Sequence, residues 1–151
     1  MSGYFWMAGL SGGYPTHGET LKNDSDTSEV RWWAKGGTLM GESPERIEFF
    51  KSVMENAPVK EMKPELYDNG NPENLNNNVY VFSSPGNHYT AYVANEGEPI
   101  NIELPGENSY QIEIIDTWNM NILEESEAEP GKFQYKTKIP YTAIRIYRNH
   151  E

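Results

Sequence analysis

Cysteine is absent from this chain. That removes a disulfide framework and a thiolate metal site together, and it tips the expected compartment toward the cytoplasm. Positive charge is scarce as well: 12 Lys and Arg face 23 Asp and Glu, a net charge of −11. Such a surface repels phosphate backbones and anionic headgroups, so neither nucleic acid nor a membrane is an expected partner. No segment approaches the roughly 18 continuous apolar residues of a membrane span, and the N-terminus lacks the basic n-region of a secretory signal. Histidine is limited to three residues; His88 and His150 stand at no ligating spacing from His17, so no metal site is expected, and no cofactor motif is present.

What the chain does have is aromatic surface. Ten tyrosines and four tryptophans lie in 151 residues of low mean hydropathy, −0.76. That combination fits a tyrosine-rich β-sheet or a face that meets carbohydrate. The length allows one domain of average size, or a compact domain with an appendage. One region concentrates mixed chemistry: Gly12-Gly13-Tyr14-Pro15-Thr16-His17-Gly18-Glu19-Thr20, then Trp32-Trp33-Ala34-Lys35-Gly36-Gly37 and Gly41-Glu42-Ser43-Pro44. An imidazole, carboxylates and paired indoles among glycines suit a sugar, whose ring stacks on aromatics while its hydroxyls meet short polar groups. The bland alternative is a histidine and a carboxylate held by backbone partners in a glycine-rich turn. Adjacent tryptophans point in different directions, so at most one of Trp32 and Trp33 is expected to face a ligand and the other is expected in the core.

The chain divides by period. Residues 3 to 10 form an apolar run without alternation, expected to be a buried helical turn or a helix whose beginning is missing. Residues 13 to 17 read as a short extended piece and residues 20 to 30 as a polar loop. A helix is predicted over 44 to 56, with Ser43 as N-cap, Pro44 in the first turn, Glu45 and Glu48 toward its positive end, and a stripe of Ile47, Phe49, Phe50, Val53 and Met54. Residues 57 to 78, rich in Pro, Asn, Glu and Gly, read as a connecting loop. From residue 79 the period becomes two. A hairpin of Val79–Phe82 and His88–Ala94 around Pro85-Gly86 is followed by predicted strands at 100–104, 110–116, 133–139 and 142–147, with a less regular one at 120–124. Strands at this spacing predict an antiparallel β-sandwich. Asp116-Thr117-Trp118-Asn119 reads as a strand end and turn with Trp118 packed inward, a ligand-binding role being the lesser alternative, and Tyr80, Tyr89, Tyr92, Tyr110, Tyr135, Tyr141 and Tyr147 read as sheet residues.

With His17-Gly18-Glu19-Thr20, Trp32-Trp33-Ala34-Lys35-Gly36-Gly37, Gly41-Glu42-Ser43-Pro44-Glu45-Arg46-Ile47 and Ile115-Asp116-Thr117-Trp118-Asn119-Met120 in order, the chain resembles the C-terminal part of bacterial glycoside hydrolases of the apiosidase type. In these a (β/α)8 barrel precedes a small β-sandwich. The resemblance implies a mainly β chain in which residues 1–56 end the barrel, with its last strand near Tyr14 to His17 and its last helix at 44 to 56. Residues 57–78 would be a linker and 79–151 the sandwich. It implies carbohydrate as ligand and the upstream barrel of the same enzyme as partner, with Tyr14, His17, Glu19, Trp32 and Trp33 at the substrate. It also implies that no catalytic residue lies in this chain, because the acid/base and nucleophile carboxylates come from earlier strands; the isolated chain is expected to be inactive. Leu21, where an aromatic is usual, and the loop from Lys22 to Val30 depart from the pattern. The alternative reading is a carbohydrate-binding or purely structural sandwich without catalysis. Tyr4, Phe5 and Trp6 are apolar enough to need cover, from the sandwich and the 44–56 helix or from a second copy in a homodimer.

Overall fold

The computed structural model describes residues 2–15, 20–22, 30–31, 38–65 and 79–148. Helix α1 (Ser2–Leu10) leads to three short strands, β1 (Thr20–Lys22), β2 (Val30–Arg31) and β3 (Thr38–Met40), and then to helix α2 (Ser43–Met54). Strand β4 (Lys63–Glu65) precedes the strand-rich part: β5 (Val79–Ser84), β6 (His88–Val93), β7 (Pro99–Leu104), β8 (Tyr110–Asp116), β9 (Asn121–Ala128), β10 (Gly131–Lys136) and β11 (Thr142–Tyr147). The described chain is mainly β, its strand pairs are antiparallel, and no described helix is long and apolar enough to cross a membrane.

A six-stranded sheet of order β4-β5-β6-β11-β8-β9 is the centre of the fold. Its first hairpin forms where Pro85 and Gly86 interrupt the alternation: Gly86 takes φ 82°, the Asn87 amide donates to the Ser84 carbonyl at 3.0 Å, and residues 79 to 84 then run back along 88 to 93 in register. One face of the sheet carries Val81, Ala91, Ile112, Ile144 and Ile146, which meet Ile100, Ile102 and Leu104 of the β7-β10 ribbon in one apolar cluster. Strand alternation explains the split, since successive side chains point to opposite faces. On β7 only Ile100, Ile102 and Leu104 are buried, with Pro99, Asn101 and Glu103 open to solvent.

The other face is covered by the helices. Trp6 and Leu10 of α1, Val53 of α2 and Met62 pack with Phe82, Tyr92, Ile115 and Ala143. Trp6 stacks on Tyr92 with ring centres 5.9 Å apart and meets Phe50 edge-on at 4.9 Å. The helices can approach because α1 has a glycine at the crossing, where an added Cβ on Gly9 would lie 2.6 Å from the Phe50 ring. Two-sided cover makes all six residues of β6 buried, polar ones included. Beside this apolar contact, the Arg145 guanidinium donates to both carboxylate oxygens of Glu113 at 2.8 Å, and its Nη1 donates to the Val53 carbonyl at 2.8 Å. The Tyr147 hydroxyl donates to Glu113 at 3.0 Å, and the buried His88 ring stacks on Tyr147 at 5.9 Å with Nε2 3.3 Å from the Thr90 hydroxyl.

Phe5 and Trp6 are buried within the chain and Tyr4 is exposed; of the two sources of cover expected, the 44–56 helix and the sheet supply it for Trp6. Other expectations are corrected. Ser43 is not the cap: Glu42 occupies that position without a side-chain capping bond, and Ser43 is the first helical residue. The polar stretch 20 to 30 contains strand residues, Thr20–Lys22 pairing with Val30–Arg31 and Thr38–Met40. The connecting stretch 57 to 78 contains β4, which pairs with β5 at the sheet edge; Pro64 is tolerated there because an edge strand needs no second set of donors. Residues 13 to 15 form no strand, and residues 16 and 17 lie outside the described residues.

Removing the Trp6 side chain leaves a void between α1, Phe50 and Tyr92, so Trp6→Ala is expected to cost about 3–5 kcal/mol, read as a lower urea midpoint. An unchanged midpoint would mean that α1 does not cover the sheet in solution. His88 supplies a pH test. Burial, and then the charge of Arg145, lower its pKa from 6.5 to about 4. Between those values the unfolded chain binds a proton that the folded chain refuses, so stability is fully present above pH 6.5 and declines as the pH falls toward 4. His88→Gln is expected to flatten this slope in denaturant titrations at stepped pH.

Candidate functional site

At one end of the sheet, strand β8 stops at Asp116 because its carboxylate turns the chain. Oδ1 accepts from the amides of Trp118 and Asn119, each at 2.9 Å, and Oδ2 accepts from the Asn119 side-chain amide at 2.7 Å. This is the aspartate turn chemistry that competes with strand extension. Met120, at φ 58°, completes the reversal into β9. Next door, β11 begins at Thr142, the register partner of Asp116. Tyr141 just before it also has positive φ, 57°. That conformation disfavours a residue with a Cβ, and three bonds hold it. The Tyr141 amide donates to the Ala94 carbonyl at 3.1 Å, and its carbonyl accepts from the Thr117 amide at 3.0 Å and the Thr117 hydroxyl at 2.7 Å.

The two turns bring two rings into a stack. Trp118 and Tyr141 stack with centres 5.5 Å apart and planes 28° apart, although Trp118 is 48% and Tyr141 39% exposed. Helix α2 braces the pair: the Arg46 guanidinium lies 4.7 Å from the Trp118 ring centre, donates to the Trp118 carbonyl at 2.7 Å, and is itself held by Glu42 at 2.9 Å. With Asp116, Asn119, Ile139 and Pro140 the rings line an open cavity of about 330 Å³, at the small end of ligand sites. Arg46 touches Trp118 but is not in the lining. The inward packing expected for Trp118 is thus corrected, and Tyr141 is a turn residue rather than a sheet residue. Asp-Thr-Trp-Asn is turn chemistry, and a turn tip sits at the surface; that signal in the sequence argued for exposure. Nothing local in the sequence marks Tyr141, whose position is set by partners on other strands.

A second open cavity, also about 330 Å³, lies between the edge of the six-stranded sheet and the ribbon, lined in part by Glu65, Tyr89 and Glu103. Its phenol is already committed: Tyr89 accepts from the Gly86 amide at 2.8 Å and donates to the Glu103 carbonyl at 3.4 Å, and burial raises its pKa. Among the described residues no group of His, Asp and Glu is placed to hold a metal ion. Of the residues singled out from sequence, Tyr14 is almost completely exposed, and His17, Glu19, Trp32 and Trp33 lie outside the described residues. The Trp118–Tyr141 cavity therefore provides aromatic surface and short polar groups, with its one carboxylate held by three donors.

The family described as Domain of unknown function (DUF5605) matches residues 81–147, the stretch from β5 to β11. No curated protein matches. Similar folds occur among solved structures. A candidate glycoside hydrolase from Bacteroides vulgatus ATCC 8482 shares 23% identity at TM-score 0.58, over 91% of this chain and 29% of its own. A protein described as a glycoside hydrolase shares 13% at TM-score 0.61, over 82% and 30%. A glycoside hydrolase family 5 protein from the same Bacteroides strain shares 10% at TM-score 0.55, over 75% and 29%. The chain thus spans about three tenths of the length of these glycoside hydrolases, and what it shares with them is the fold.

The strain at Tyr141 has a measurable signature. Tyr141→Gly loses the ring but relieves the backbone, whereas Tyr141→Ala loses the ring and keeps the strain, so the glycine variant is expected to be the more stable of the two by about 1 kcal/mol. Equal urea midpoints would mean that the positive φ is not retained in solution.

Proposed function

We propose that this chain is the C-terminal portion of a glycoside hydrolase, joined in the enzyme to an upstream apiosidase-like barrel that carries the catalytic carboxylates. The observation that carries the reading is a fold shared over most of this chain with about three tenths of glycoside hydrolase chains. In this reading residues 1–56 complete the barrel, residues 57–78 link, and residues 79–151 form the accessory sandwich. Tyr14, His17, Glu19, Trp32 and Trp33 contact the substrate sugar by stacking and hydrogen bonding, and catalysis belongs to the upstream part. Two carboxylates must flank a glycosidic bond at about 5 to 9.5 Å, depending on mechanism, and in this reading both come from the upstream strands. The docking of α1 and α2 on the sheet fits the proposal, because it makes the junction between the two parts one packed core rather than a flexible tether.

The purified chain is expected to give no turnover on a panel of aryl glycosides and plant oligosaccharides. In the enzyme with its upstream part present, Trp32→Ala is expected to raise KM more than it lowers kcat, as loss of ground-state binding does. Turnover by the isolated chain that Glu19→Gln abolishes would overturn the reading.

A further inference from the structure

The cavity between the β8–β9 turn and the start of β11 is built rather than incidental. Two non-glycine residues, Met120 and Tyr141, hold positive φ there, and such strain persists only where surrounding bonds over-determine it. The bonds are present: Asp116 fixes the Trp118 turn, and Thr117 and Ala94 fix Tyr141. What they secure is the exposure of two large rings that burial elsewhere would stabilise. Arg46 completes the support from α2.

We propose that this cavity is a saccharide subsite, in which one neutral pyranose ring of an oligosaccharide lies against Trp118 and Tyr141 with Asn119 hydrogen-bonding a ring hydroxyl. The C–H groups of a pyranose suit the aromatic surface that the stacked indole and phenol leave exposed, and an exposed amide supplies both donor and acceptor. The charges argue for a neutral ring. Among the described residues no cation lines the cavity, Arg46 beside Trp118 is paired with Glu42, and Asp116 contributes a carboxylate to the lining, so a uronate would find no counter-charge among them. The size of the opening suits one ring rather than a protein segment, for which a stable contact buries far more surface. Arg46 is a positioning residue: it holds Trp118 and does not line the cavity. The choice of carbohydrate as ligand rests on the glycoside hydrolase reading; the site itself does not involve the residues proposed to meet the substrate.

The four tryptophans give four separable indole N–H signals, which makes the test specific. The full chain is titrated with cellohexaose, xylohexaose and mannohexaose up to about 20 mM, a range suited to dissociation constants near 1 mM, and followed by ¹H–¹⁵N NMR. At least one sugar is expected to shift the Trp118 indole and the Asn119 side-chain amide while the buried Trp6 signal stays fixed. Trp118→Ala should weaken the shift at Asn119 at least about tenfold; Tyr141→Gly, which relieves the backbone, should do the same without loss of fold, so that misfolding of one variant does not decide the matter. Shifts at Trp32 or Trp33 with none at Trp118 would overturn the subsite and leave the substrate-contact reading standing. A shift at Trp118 alone would support the subsite and count against Trp32 and Trp33. No shift at any indole with all three sugars would overturn the subsite.

Discussion

One side chain ties the layers of this protein together. Arg145 stands on the face of the sheet that the helices cover, its fork closed on Glu113 of the neighbouring strand and its remaining arm on the Val53 carbonyl near the end of α2. A buried ion pair contributes less to stability than its geometry suggests, because both charges lose water. Its value here is in register: only one seating of α2 lets a bidentate pair and a helix-terminal carbonyl be satisfied together. Once α2 is seated, α1 has a surface to lie against, and the tryptophan-on-tyrosine stack completes the layer. The start of α2, fixed by the same seating, brings Arg46 to the turn that carries Trp118.

The strand-rich half was legible wherever local chemistry and the alternation agreed. Residues 79 to 93 carry their own instruction in Pro85-Gly86, and the fold places the hairpin where that instruction puts it. The helix over 44 to 54 was equally plain, though its cap was not, because Ser43 and Glu42 can both begin a helix and only packing chooses. What the sequence hid are elements with no pattern of their own. Strand β4 is three residues long with a central proline, and it is a strand only because β5 offers an edge. Strands β1 and β2 likewise exist through partners rather than through propensity.

The aromatic cavity was half visible. Asp116 and Asn119 announced a turn, and the turn formed with the bonds that chemistry predicts. Trp118 reads as core because a large apolar residue beside a strand is usually buried, but the Asp116 turn ends the strand before it and leaves the ring at the surface. Tyr141 reads as one more tyrosine of a tyrosine-rich sheet until its φ angle is seen. The cavity lies between two segments, 116–119 and 139–141, so no short window along the chain contains it.

A sheet of six strands has two edges, and both are finished. On the β4 side Pro64 has no amide hydrogen to offer a newcomer, and the strand is too short to template one. On the β9 side Glu124, Glu125 and Glu127 lie within eight residues, all exposed, and Leu123 is an extra residue that breaks the pairing rhythm with β8. Like charges facing like charges, together with a bulge, discourage a second chain from adding a strand. Copies of this chain brought to high local concentration therefore meet at sheet borders that repel one another and offer no register for pairing.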